Sequence, residues 1–241
     1  MAEGESTVQS IRNIVVFGAN GPTGRLVVEQ ASAAGHHVTA VTRRPEAFPV
    51  RGAHVRVAEA DVLDPDAVED VVAGHDAVIS ALGVPFGREP VSVYSAGATH
   101  LIRAMTAHGV RRLVAVTSTI MFGTPAPGEG FLFRRVLEPA VARFMGRTVY
   151  DDMRRMEEIV RRSDLDWTVV RPGGLFDAPR VSDYRTGTSR LPGRYTARCD
   201  LAQELLRQAE DRRYVHRFVD VRTTEGTPSF VQLIRKEALN K

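Results

Sequence analysis

The sequence predicts an α/β chain built on a doubly wound parallel sheet, and three observations carry that prediction. Short apolar runs bounded by turn residues alternate with segments of helical period along most of the 241 residues, the signature of repeated βαβ units. Runs such as Ile14-Val15-Val16-Phe17 and Ala77-Val78-Ile79 are apolar without alternation, as in strands covered on both faces. A glycine triplet directly follows the first run and precedes a helical segment.

In chain order, the strand at residues 12–17 runs into the glycine turn and a helix over 23–34. The strand at 38–42 stops at Arg43-Arg44-Pro45, and the strand at 54–59 precedes a helix over 66–73. Residues 77–81 form the fourth strand, followed by a helix over 92–108 and a strand over 113–117. The Gly- and Pro-rich stretch 123–130 leads into an amphipathic segment over 131–145, then a helix over 150–163 and a strand over 167–171. Residues 177–194 read as loop, 200–209 as helix, 215–221 as the last strand and 229–241 as a short terminal helix. The whole chain, 1–241, reads as one domain with two insertions, 123–149 and 177–194. Both follow strands, where doubly wound sheets place their ligand loops.

Composition removes several classes of chemistry. With 43% hydrophobic residues the chain can bury a sizeable core. It contains no apolar run of about 18 residues, and Met1–Ser10 is polar, without the apolar stretch of a secretory signal. The expectation is a soluble cytoplasmic protein without membrane contact. Cys199 is the single cysteine, so internal disulfides and Cys-x-x-Cys sites are excluded. Of the 32 cationic side chains only Lys236 and Lys241 are lysines, which removes a phosphate-loop lysine, a Schiff-base lysine and a Tyr-x-x-x-Lys pair from the body of the fold. A net charge of +3, with arginines scattered among carboxylates, does not predict nucleic-acid binding. The histidines show no metal-ligand spacing, so no metal is expected, and no Gly-x-Ser-x-Gly elbow is present.

The turn Gly18-Ala19-Asn20-Gly21-Pro22-Thr23-Gly24 carries the clearest chemistry. Gly18 allows the tight turn, Gly21 close approach to a pyrophosphate, and Gly24 helix-on-strand packing, with the helix N-terminus facing the anion. Asn20, Pro22 and Thr23 complete the contact set. After the second strand stand Arg43 and Arg44, where an NAD site places an acid; a guanidinium there suits a 2′-phosphate and points to NADP(H), the alternative being two solvated arginines. Asp61-Val62 after the third strand meets the adenine or caps a turn. Ala81, Leu82 and Gly83 close the fourth strand beside the cofactor's central ribose. Asp151 and Asp152 point in different directions from one helix and read as carboxylates stabilised by its dipole. Phe86, Phe122 and Phe131 lie in or beside the insertions, placed either to cover a planar acceptor or to form a buried helix face.

These pieces, with Val116-Thr117-Ser118, the helix from Tyr150 and Trp167-Thr168-Val169-Val170-Arg171-Pro172-Gly173, make the chain resemble the atypical short-chain dehydrogenase/reductases. That group includes flavin reductase/biliverdin-IXβ reductase and NmrA-like proteins, and the likeness spans about residues 12–221. The resemblance implies a single-domain Rossmann-type reductase in which Thr117, Pro172, Gly173, Gly174 and Leu175 surround the nicotinamide and Ser118 meets the substrate. It implies hydride transfer from NADPH to a small conjugated or carbonyl compound: a quinone, a flavin-like molecule or a secondary metabolite. The chain departs from the usual proton relay. Tyr150 is followed four residues on by Arg154 rather than lysine, so Arg154 can bond a ribose but cannot titrate; Tyr150 is then either the proton donor or a packing residue. Two other readings stand beside the reductase: a non-enzymatic NADP(H)-sensing module with a protein partner, and an isomerase or cyclase on the same fold. An exposed apolar face on the 123–149 insertion would serve a homodimer.

Overall fold

The computed structural model describes residues 11–85, 87, 89–122 and 147–228. Strand β1 (Asn13–Phe17) is followed by α1 (Pro22–Ala33), β2 (His37–Thr42), β3 (Val55–Glu59), α2 (Pro65–Val72), β4 (Ala77–Ser80), α3 (Val93–Ala107) and β5 (Arg112–Val116). After these come α4 (Arg147–Arg161), β6 (Asp166–Pro172), β7 (Gly174–Phe176), β8 (Tyr184–Gly187), β9 (Tyr195–Ala197), α5 (Arg198–Glu210) and β10 (Arg217–Thr223).

The unalternated apolar strands are covered on both sides. Ile14 and Val16 of β1 pack with Val27, Val28 and Ala31 of α1 and Leu201 and Leu205 of α5. Val15 and Phe17 face the opposite layer, with Val68 and Val72 of α2, Leu101 and Met105 of α3, and Met156 and Val160 of α4. The main sheet has the order β3-β2-β1-β4-β5-β6-β10-β8. All neighbours run parallel, with registers such as Phe17↔Ser80 and Val221↔Pro172, except β8, which pairs antiparallel to β10. The chain steps outward from β1 to β3 and then returns to β4 on the other side of β1. The strand order therefore reverses between β1 and β4, and a crevice for ligands opens at their C-terminal ends.

Two buried polar groups lock α5 to this sheet. Arg112 at the start of β5 donates from Nε to the Gln208 carbonyl at 2.9 Å and from Nη2 to Thr168 Oγ1 at 2.8 Å, capping the end of α5; burial lowers its pKa to about 10. Glu204, fully buried, accepts from the Tyr184 hydroxyl at 3.0 Å and from Gln208 Nε2 at 2.7 Å.

Outside residues 123–146, each strand and helix expected up to residue 221 forms, with ends shifted by up to three residues. Two expectations need correction. Residues 147–149 belong to α4 and not to the first insertion. The 177–194 stretch is not all loop: β8 lies within it, a strand whose Tyr-Arg-Thr-Gly sequence lacks apolar character because it pairs on a sheet edge. The short parallel pair β7 and β9 was also unforeseen. Residues 123–146, the terminal segment 229–241, Phe86 and Phe131 lie outside the described residues. Among the described residues no helix is long and apolar enough to cross a membrane.

Candidate functional site

The glycine turn closes the C-terminal end of β1. Gly18 sits at φ +75°, and a Cβ there would come within 2.5 Å of the Ala81 carbonyl oxygen. A Cβ on Gly24 would come within 2.1 Å of the Gly18 oxygen, so α1 rests directly on the turn backbone. The Gly21 amide donates to the Gly18 carbonyl at 3.0 Å. Gly21 caps α1 without a side-chain bond, Pro22 opens the helix, and no acid stands in its first turn. A tight glycine turn whose backbone packs on itself, at a helix N-terminus with no acid in its first turn, leaves that N-terminus open to an anion and fits a dinucleotide pyrophosphate. The Asn20 Oδ1 accepts from Arg25 Nε at 3.0 Å and Nη2 at 2.6 Å, which fixes the amide and brings a cation beside the turn.

Arg43 and Arg44 are exposed beyond the end of β2. The Arg43 Nη1 lies 3.7 Å from Asp61 Oδ2, and the Arg44 amide donates to Thr42 Oγ1 at 3.1 Å. Of the two roles open to Asp61 in the sequence, the structure shows the turn: its Oδ1 accepts from the Leu63 amide at 3.0 Å, while its other oxygen faces Arg43. Val62 is buried, and its carbonyl accepts from His100 Nδ1 at 2.9 Å. The Ala81 amide donates to the Phe17 carbonyl at 2.9 Å, which leads Leu82 and Gly83 over the end of β1.

The other flank of the site is more occupied by the protein itself. Thr117 is buried, and its hydroxyl donates to Glu157 Oε1 at 2.7 Å. Glu157, on α4, takes a bidentate pair from Arg171 at 2.9 and 2.6 Å, and the Arg171 guanidinium stacks 3.8 Å over the Phe218 ring. The Thr117 side chain thus turns into the fold. Ser118 is half-buried and accepts from the Ile120 amide at 3.2 Å; Phe122 ends the short 3₁₀ turn that follows. A Cβ on Gly173 would come within 2.2 Å of the Arg194 carbonyl oxygen, and the Gly174 amide donates to that oxygen at 2.8 Å. Gly173 is therefore required by close contact with the backbone just before β9 in the protein itself. Pro172 gives its carbonyl to Thr119 Oγ1 at 3.0 Å, and Leu175 is exposed.

On α4, Tyr150 is 4% exposed and packs in the core with Val149 and Met153. Arg154 bonds Asp151 Oδ1 at 2.6 Å. The two neighbouring acids have separate jobs, and the dipole reading of Asp152 is corrected: it is fully buried and caps a different helix, accepting from the α3 amides of Tyr94 at 2.8 Å and Ser95 at 3.3 Å. Its register on α4 points it at the open N-terminus of α3, whose own Ser92 makes no cap. Sequence reasoning gave no role to Glu157 or to the Arg171 side chain, and it assigned Asp152 to the wrong helix. It also missed Gly97, whose signal was a glycine inside a helix.

Comparison with known proteins bears on the family and the fold. A chloroplastic protein of Arabidopsis thaliana, itself uncharacterized, is 30% identical over 187 residues, 73% of this chain and 64% of its own length. The (4-alkanoyl-5-oxo-2,5-dihydrofuran-3-yl)methyl phosphate reductase of Streptomyces griseus is 32% identical over 160 residues, 66% of this chain. The chain spans 64% and 46% of the lengths of these two relatives. A short-chain dehydrogenase/reductase of Veillonella parvula, solved in complex with NADP, shares the fold with a TM-score of 0.73 at 18% identity, covering 91% of this chain and all of that one. The NAD(P)H-binding family matches residues 18–212, from the first glycine of the turn to the end of α5 and just beyond. With its doubly wound sheet and its glycine turn at the switch point, the chain belongs to the NAD(P)H-binding family.

Proposed function

We propose that the protein is an NADPH-dependent reductase of a small conjugated or carbonyl compound. The observation that carries this reading is the cradle of Gly18, Gly21 and Gly24 with two exposed arginines at the end of the neighbouring strand. Gly18 through Gly24 and the α1 N-terminus hold the pyrophosphate, with Asn20 oriented by Arg25. Arg43 and Arg44 take the 2′-phosphate by charge-assisted hydrogen bonds, Asp61 and Val62 line the adenine, and Ala81, Leu82 and Gly83 the central ribose. When bound, the nicotinamide supplies a hydride. Thr117, Arg154, Pro172, Gly173, Gly174 and Leu175 border its place by backbone and shape. Ser118, whose oxygen already accepts from Ile120, donates its hydroxyl proton as a hydrogen bond to the acceptor oxygen. The proton that completes the reduction comes from water, because Tyr150 is packed in the core. The Streptomyces relative, named as a reductase of an oxo-dihydrofuran phosphate, supports a small oxo compound as acceptor. Fluorescence titration tests the cofactor, with NADPH expected to bind at least about tenfold tighter than NADH, as one lost charged contact predicts; equal affinities overturn the preference. NADPH oxidation across quinones, flavins, enones and aldehydes tests the reaction.

The burial of Tyr150 also favours a second reading, an NADP(H)-sensing module. Tight NADPH binding with no oxidation across that panel, and a protein partner retained only with one redox form of the cofactor, would select it.

A further inference from the structure

Helix α3 stands behind two of the loops given to the cofactor above. At Gly97 a Cβ would come within 2.9 Å of Val62 Cγ2 and 3.3 Å of Leu82 Cδ1, so the missing side chain lets the loops after β3 and β4 close on one helix. His100, one turn on, holds the Val62 carbonyl. One turn before Gly97, the Tyr94 hydroxyl accepts from the backbone amide of Val84 at 3.3 Å, at the far end of the Ala81–Gly83 segment. The Tyr94 ring is buried, and burial raises its pKa, so the hydroxyl stays protonated. Tyr94 is fixed in turn by Asp152 of α4, which holds its backbone amide at 2.8 Å, and Ser95 Oγ also donates to that carboxylate. A chain of direct contacts thus runs from α4 through α3 to the loop after β4.

We propose that Tyr94 is a positioning residue for the cofactor. By holding the Val84 amide it presets the backbone of Ala81, Leu82 and Gly83 for the central ribose, and Asp152 sets its place. The loop carries Gly83 in an exposed position, and a preset loop loses less conformational freedom when ligand binds. The proposal rests on the cofactor reading above.

Calorimetric titration with two probes tests it: NADPH, which reaches the loop after β4, and 2′,5′-ADP, which ends at the glycine turn. Tyr94→Phe keeps the ring and removes the hydroxyl. It is expected to weaken NADPH by about three- to tenfold, the range of one hydrogen bond, with 2′,5′-ADP bound as in the wild type. Gly97→Ala pushes on Val62 as well as Leu82 and is expected to weaken both probes. Thermal melts identify loss of folding, which would depress both probes together. Tyr94→Phe protein that binds NADPH like the wild type, or loses both probes equally, overturns the proposal. Wild-type protein that binds neither probe overturns the cofactor reading and this proposal with it.

Discussion

Gly24 and Asp152 make opposite demands on the side chain. At Gly24 no atom fits beyond Cα, since Cβ would fall 2.1 Å from the Gly18 oxygen. Gly24→Ala must therefore move α1 off the turn, at a cost of about 1–3 kcal/mol, and NADPH affinity is expected to fall at least about tenfold in a fluorescence titration, since about 1.4 kcal/mol is a factor of ten. At Asp152 the carboxylate cannot be spared. Asp152→Ala leaves two α3 amides and the Ser95 hydroxyl without this acceptor and removes one of two partners of the Arg155 guanidinium, 3.0 Å away. Urea unfolding is expected to register a loss of about 2–4 kcal/mol, from the cap together with the orphaned polar groups. Asp151→Ala, on the exposed side of the same helix, removes surface ion pairs and is expected to change stability by less than about 1 kcal/mol. The sequence distinguishes Gly24 because its place in the triplet carries its reason. It presents Asp151 and Asp152 as equals, because the amides that Asp152 caps lie 58 and 57 positions earlier in the chain.

At the scale of elements, strands buried on both faces were legible from their apolar runs, and the helices between them from their period. Strand β8 was not, since the forces that hold it are non-local: its backbone pairs with β10 and its Tyr184 hydroxyl reaches Glu204. Within the candidate site the glycine turn was legible, because it is a local backbone requirement. The roles of Thr117 and Gly173 were not, because Glu157 and Arg194 meet them only after folding. The Tyr184–Glu204 contact also has a pH signature. Burial raises the carboxyls of Glu204 and of Asp220 above their ordinary values. An acid with a higher pKa folded than unfolded binds more protons in the native state between the two values, so stability falls as pH rises through that interval. The urea midpoint is expected to decline as pH climbs above the usual carboxylate range. Glu204→Gln is expected to flatten part of that decline; an unchanged slope would remove Glu204 as its source.

For the molecule as a whole, the glycine turn, the loops after β3 and β4 and α3 all join at the switch point, so a ligand bound there stabilises the folded state by mass action. At a hundred times its dissociation constant NADPH contributes about 2.7 kcal/mol, which for a chain of this size corresponds to a rise in melting temperature of about 5–11 °C. NADH at the same concentration is expected to give a smaller rise in differential scanning fluorimetry, and an equal rise would count against the roles of Arg43 and Arg44. The sheet itself ends in β3 on one side and in the antiparallel β8 on the other. Strand β3 exposes Arg56 and Glu59, while β8 is four residues long, exposes Arg185 and stops at Gly187. Short, charged borders are poor templates for a strand from another copy. Among the described residues, neither margin of the sheet presents the long apolar edge that stacking by strand addition needs.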